Sequence, residues 1–240
     1  MKKHITLIII AALLLSQLVA CSTQTTQPTA PAAVTDEPPT AAPIVALTET
    51  EIPLEEGEVI TATLEEFKAA VQDTNITKIR IDSILEITEE VGFERNDDLE
   101  IHITENGTLA INEFFNPVGC LITNDGDIQV NSEFARGIAN VTNNGTLTVN
   151  AGGNVNAGMS NTENYGVITV AKDGELSIDR GSVFNNFGQL INEGSIIVAD
   201  GGQLNDQGGS IVNNGTLDLS SYFNGDIEKI TGSGTLIDNR

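Results

Sequence analysis

The sequence predicts an all-β fold: a single-stranded parallel β-helix (β-solenoid) of about 7–8 coils, roughly 19–21 residues each, with a short N-terminal capping helix. Three observations predict it. A pattern of Asn/Asp-Gly-x-apolar-x-apolar type recurs, starting at Glu105, Asn124, Asn143, Asn164, Asn192, Asn213 and Gly232 in steps of 19, 19, 21, 28, 21 and 19. Apolar residues alternate with polar ones inside each repeat, which is strand periodicity rather than helix periodicity. Asn and Gly each number 23, and 21 of the Asn lie at or after residue 105. Coils this short cannot hold two helices, so repeats with this period stack as one solenoid turn each.

The first element is a leader. Met1-Lys2-Lys3-His4 is a short basic stretch, and the apolar run from Ile5 to Ala20 falls short of the roughly 20 residues that a membrane-spanning helix needs. It ends in Leu18-Val19-Ala20-Cys21. That tetrapeptide resembles the lipobox of bacterial lipoproteins. The resemblance implies cleavage before Cys21, a diacylglycerol on the Cys21 thiol, and a protein anchored to a membrane by its acyl chains rather than spanning it. The expected location is therefore extracytoplasmic, on the cell membrane or an outer membrane; Ser22 rather than Asp follows the cysteine. Loss of Lys2 and Lys3 takes the basic count from 11 to 9 against 34 acids, so the net charge moves from −23 to −25.

Residues 21–43 form the second element, the lipidated cysteine and a Thr/Ala/Pro tether. Its composition cannot bury enough surface to fold and favours extended states, reaching roughly 65–70 Å at about 3.1 Å per residue. Residues 44–104 hold N-terminal strands and the capping helix. Thr63 and Glu66 fit a capping box, and Leu64, Phe67, Ala70 and Val71 share one helical face. Lys78-Ile79-Arg80-Ile81-Asp82 and Ile84-Leu85-Glu86-Ile87 then alternate as strands. This helix-then-strand entry resembles the start of pectin-lyase-like domains, and the resemblance implies a right-handed β-helix.

Residues 105–240 are the repeats. One apolar column reads Leu109, Ile128, Leu147, Ile168, Ile196, Leu217, Leu236; a second reads Ile111, Val130, Val149, Val170, Val198, Leu219. A third, before each start, reads Ile103, Ile122, Val141, Thr162, Leu190, Ile211, Ile230. Val155, Leu176 and Leu204 suggest a further one, and the step of 28 reads as an ordinary coil with an insertion near 174–180. A glycine follows each start by two positions and reads as a turn residue. Stacked Asn side chains are expected to form amide ladders. The Asn-Gly-Thr sequences at 106, 144 and 214 therefore read as turns rather than glycosylation sites.

Several function classes are excluded or disfavoured. So acidic a chain lacks the basic surface that nucleic acid requires. Two cysteines make neither a disulfide scaffold nor a Cys-based zinc module. His102 is the one histidine after the leader and alternation turns it outward; Cys120 falls on an inward column. No catalytic residue, metal ligand or cofactor is expected. The outward positions include only two acids, Asp127 and Asp218, which counting places four coils apart, about 19 Å and too far for a glycosidase pair. The acidic stretch Glu86, Glu89, Glu90, Glu94, Asp97, Asp98, Glu100 and Glu105 offers oxygen ligands to Ca²⁺ but has no known Ca²⁺-loop spacing; it reads as a solvated face. Thr146, Thr148 and Thr169 hint at a threonine ladder, broken at Ile197 and Asp218. Tyr165, Tyr222, Phe184 and Phe187 are the late aromatics available for stacking on carbohydrate. The expected role is a non-catalytic structural or adhesive binding module whose partners are the membrane, through its anchor, and envelope or host glycans or proteins. The alternative is a polysaccharide lyase- or hydrolase-like enzyme or an inactive relative.

Overall fold

A computed structural model describes residues 54–95, 99–135, 137 and 139–240. The chain divides into two units, Met1–Thr50 and Glu51–Arg240. The leader, Cys21 and the tether lie outside the described residues, as do Asp97 and Asp98. Within the second unit the chain winds into a right-handed parallel β-solenoid of about eight turns. Three parallel sheets of nine, seven and eight strands form its walls among the described residues. The first sheet begins with Glu58–Ile60, Lys78–Ile81 and Glu100–Ile103, the second with Ile84–Ile87 and Thr108–Ile111, the third with Val91–Glu94 and Phe115–Val118.

The helix Leu64–Gln72 closes the N-terminal coil. Thr63 Oγ1 accepts from Glu66 N at 3.3 Å and Glu66 Oε2 accepts from Thr63 N at 3.1 Å, so the capping box holds. Those two bonds satisfy amides that a helix start leaves without partners. Phe67, Ala70 and Val71 are buried against the first coils. Phe67 packs on Phe115 at 6.0 Å, and Phe115 stacks on Phe134 at 5.7 Å. Four of the eight phenylalanines, Phe67, Phe115, Phe134 and Phe184, are thus fully buried, and the core is not filled by aliphatic residues alone. At the helix C-terminus the buried Arg95 donates to the carbonyls of Val71, Asp73 and Ile76. Val71 lies in the last helical turn, whose carbonyls lack helical partners, and the guanidinium fork supplies donors to it and to the two carbonyls that follow the helix.

Strand pairing corrects the reading of the repeat. From Lys78 the first sheet advances to Glu100, Leu121, Asn140, Asn161, Val183, Gln203 and Tyr222. The steps are near-equal, one solenoid turn each. Residues 174–180 are not an insertion; they contain the third-sheet strand Glu175–Ile178. The Asn-x-Gly pattern marks a corner, and the chain uses it at two corners. At Asn124, Asn143, Asn164 and Asn186 it ends a first-sheet strand; at Asn192 and Asn213 it ends a second-sheet strand. The inward column of the second sheet is therefore Leu85, Leu109, Ile128, Leu147, Ile168, Leu190, Ile211. Ile196, Leu217 and Leu236 belong to the third sheet, above Val155 and Leu176. Leu204 belongs to the first sheet, beside Phe184, and Ile103 pairs with Asn124 rather than Ile122.

The amide ladders are present, and they point inward. Nδ2 of Asn124, Asn143 and Asn164 donates to Oδ1 of Asn143, Asn164 and Asn186 at 2.7, 2.8 and 2.8 Å. A second ladder joins Asn192 to Asn213 at 2.7 Å. These side chains are buried, and each also donates to a main-chain carbonyl of the coil above, as Asn124 does to Thr146 O. Each ladder has a direction, so its first rung keeps an acceptor without a donor: Asn124 Oδ1 and Asn192 Oδ1 are buried and unpartnered.

The recurrent glycine has a different cause from the one expected. Gly145, Gly166, Gly188 and Gly215 have no positive φ. A Cβ on Gly145 would instead collide with Gly126 O in the coil below, and one on Gly166 with Gly145 O. Close approach of stacked backbones demands glycine there, not a left-handed turn.

Candidate functional site

The corrected register regroups the outward residues. On the second sheet they run Ile84, Thr108, Asp127, Thr146, Val167, Gln189, Ser210 and, alongside, Glu86, Ala110, Gln129, Thr148, Thr169, Ile191, Val212. Above Asp127, four successive strands, Thr146–Val149, Val167–Val170, Gln189–Asn192 and Ser210–Asn213, carry no charged residue. In a chain of net charge −23 such a face stands apart. The first sheet carries Glu163 and Asp206 over the same coils, and the third carries Glu175 and Asp218. Thr148 does pair with Thr169, but the threonine row then runs into Ile191 and Val212, not Ile197 and Asp218.

The corner leading into this face bears the exposed aromatics. Its outward column is Asp125, Asn144, Tyr165, Phe187, Gln207, each amide bonding to a carbonyl of the coil below. Stacking places like on like. Asn144 Nδ2 donates to Asp125 Oδ1 at 2.8 Å, and the Tyr165 and Phe187 rings lie parallel, 4.7 Å apart and 7° from coplanar. The ring spacing matches the strand spacing of about 4.8 Å. Both rings face solvent, at 49% and 39% exposure. The Tyr165 hydroxyl donates to Glu163 Oε2 at 3.0 Å, and that bond raises its pKa above the ordinary value. The next corner is one residue longer: Gln207, Gly208 and Gly209 stand where Phe187 and Gly188 stood below. Gly208 has φ +93°, and a Cβ on it would meet open space. A shallow groove of about 450 Å³ follows the glycines, between the rings on one side and Val167, Gln189 and Ser210 on the other.

The remaining candidates fall elsewhere. Phe184 is buried and Tyr222 is exposed at the start of another first-sheet strand, so neither joins the pair. Asp127 lies on the second sheet and Asp218 on the third, so the distance inferred by counting coils along one face does not apply. Cys120 is buried. His102 does point outward from the first sheet, and its Nε2 lies 2.8 Å from Asp125 Oδ2. The Asp125 carboxyl is held below its usual pKa by the Asn144 hydrogen bond first and by His102 after it. Beneath it, Arg80 pairs with Asp82 at 2.9 Å and with Glu58 at 3.5 Å, so its charge is taken up within the patch. Among the described residues, no group of three or more His, Cys, Asp or Glu side chains is placed to hold a metal ion, and no helix is long and apolar enough to cross a membrane. Comparison with protein families, with curated proteins and with solved structures returned no match.

Proposed function

We propose that the protein is a lipid-anchored surface module of a bacterial envelope that binds partners through the uncharged second-sheet face, without catalysis. The observation that carries the reading is the four-strand run free of charge, bordered by two exposed rings, where both other sheets carry acids over the same coils. The sequence supports the address: Leu18-Val19-Ala20-Cys21 supplies the acyl anchor, and residues 22–43 lift the solenoid from the lipid. Residues of this face are methyls, hydroxyls and amides, which bind and orient but supply neither a general base nor a nucleophile activated by one.

The test follows the protein in its cell. Globomycin treatment or Cys21→Ala should move it out of the detergent phase, and external protease should degrade the wild-type protein on intact cells. In an organism with an outer membrane, protection from protease would place the solenoid on the inner side. Unchanged detergent partitioning of Cys21→Ala would reject the anchor.

A further inference from the structure

We infer that the exposed Tyr165–Phe187 stack, with the groove beside it, is a binding site for a sugar ring of an uncharged glycan, the ring lying against Phe187 where the next coil offers Gln207 rather than a third aromatic. This rests on the proposed binding role of the same face and names its ligand class. Four features carry it. The two rings stack at the solenoid's own spacing, so the outer face of Phe187 looks along the axis towards the next coil. That coil offers no third ring: the column position above Phe187 is the exposed amide Gln207, and Gly208 and Gly209 line the groove beside it. A pyranose has apolar C–H faces and a polar rim, and it suits an aromatic face beside amide and hydroxyl groups; here those are Gln189 and Ser210. The nearby charges are carboxylates, Glu163 and Asp206, with no Lys or Arg in the groove lining. An anionic polymer such as a polyuronate is therefore repelled, and a neutral one is not.

Size argues for a glycan over a protein. Four strands about 4.8 Å apart, each four residues long at about 3.3 Å per residue, make a face of roughly 250 Å². A stable protein partner needs about 800 Å² per side and would have to cover the acidic sheets as well. A second copy of the chain brings a further −23 of charge to the contact. A polysaccharide needs only the groove and the strip beside it.

The test is affinity electrophoresis and calorimetry of the full-length lipoprotein in detergent micelles. The probes are neutral polymers and their hexasaccharides (β-glucan, xylan, mannan, chitin oligomers), with polygalacturonate as the anionic probe. The expected result is binding to at least one neutral glycan and none to polygalacturonate. Phe187→Ala should weaken binding ~3–10-fold and Tyr165→Ala by a smaller factor, whereas Tyr222→Ala should leave it unchanged. Phe187 is exposed, so its removal spares the fold. Preference for polygalacturonate, equal binding by Phe187→Ala, or no binding to any neutral probe overturns the inference. A parallel protein array with wild type and Ile191→Glu separates the two levels. Glycan-negative protein whose array binding is lost in Ile191→Glu keeps the binding face and discards the sugar; glycan-negative and array-negative protein discards both.

Discussion

The direction of the Asn ladder makes a sharp prediction, because its first rung and its interior rungs are not equivalent. Asn143→Leu keeps the approximate shape and removes the bond from Asn124, the bond to Asn164 and a bond shared between the Gly145 and Val167 carbonyls. At about 1 kcal/mol each these three cost about 3 kcal/mol, and the orphaned Asn164 Oδ1 adds about 2 kcal/mol more. Asn124→Leu removes one ladder bond and the bond to Thr146 O, about 2 kcal/mol, and orphans Asn143 Oδ1, about 2 kcal/mol more. It also eliminates an acceptor that already lacks a donor, Asn124 Oδ1, which returns about the same amount. The register position one coil earlier is Ile103, so an apolar side chain is already accommodated in this column. The apolar gain of leucine is common to both variants. Asn143→Leu is thus expected to be about 3 kcal/mol less stable than Asn124→Leu, and at a urea m of about 2 kcal/mol/M its midpoint falls about 1.5 M lower. Urea unfolding followed by circular dichroism reads the difference directly. Equal midpoints, or a lower one for Asn124→Leu, would refute the directional ladder.

The other predictions test separate contacts. Gly166→Ala should lose about 2 kcal/mol or more, since its Cβ meets Gly145 O and the coil spacing cannot open locally; a thermal midpoint unchanged from wild type would show that close approach is not the reason for the glycine. Arg95→Met should destabilise by about 2–4 kcal/mol by leaving the carbonyls of Val71, Asp73 and Ile76 without its donors, with hydrogen exchange rising first in Leu64–Gln72. Asp125 has a folded pKa below its ordinary 3.8, so its contribution is complete above that value and is lost as pH falls through the lower folded one. Asp125→Asn should therefore be less stable than wild type at neutral pH, with the gap closing in urea titrations taken progressively below pH 3.8; a gap constant with pH would remove the carboxylate from the account. Phe187→Ala should change stability by about 1 kcal/mol at most, because the ring is exposed and its ring partner is Tyr165, itself at the surface, and a larger loss would make the ring pair a structural element.

Much of the fold is readable in the sequence because a solenoid writes its period into every column. Thr63 and Glu66 announce the helix start, and Leu109, Ile128, Leu147 and Ile168 are a true column. The reading slips at Asn192 because an Asn-x-Gly corner looks the same whichever two sheets it joins. Asn186-Phe187-Gly188-Gln189-Leu190 carries the same pattern one coil after Asn164, and following it keeps the register. The early third sheet is harder to see, since strands such as Glu133–Ala135 and Asn154–Asn156 bury one side chain each. Its signal is the one-coil spacing that links Phe115, Phe134, Val155 and Leu176. The uncharged face is invisible until the register is right. With the second-sheet column misread, Ser195, Ile197, Thr216 and Asp218 stand where Gln189, Ile191, Ser210 and Val212 belong, and Asp218 hides the run.

The same physical demand that shapes the coil also shapes the site. Stacked backbones approach so closely at the corner that Gly145, Gly166, Gly188 and Gly209 tolerate no side chain. A column without side chains, between two columns that have them, is a groove, and its direction is the solenoid axis. The flanking column Asp125, Asn144, Tyr165, Phe187, Gln207 can then vary freely, because its residues point to solvent and owe nothing to the core. Parallel in-register stacking turns any two like residues there into a contact: a hydrogen bond for Asp125 and Asn144, a ring stack for Tyr165 and Phe187. The ring stack is two members long because Gln207 follows Phe187 in the column, and the one-residue lengthening at Gly208 opens the groove beside it. The exposed corner residues can therefore change rung by rung, while the glycine and asparagine columns hold the coils at a fixed spacing.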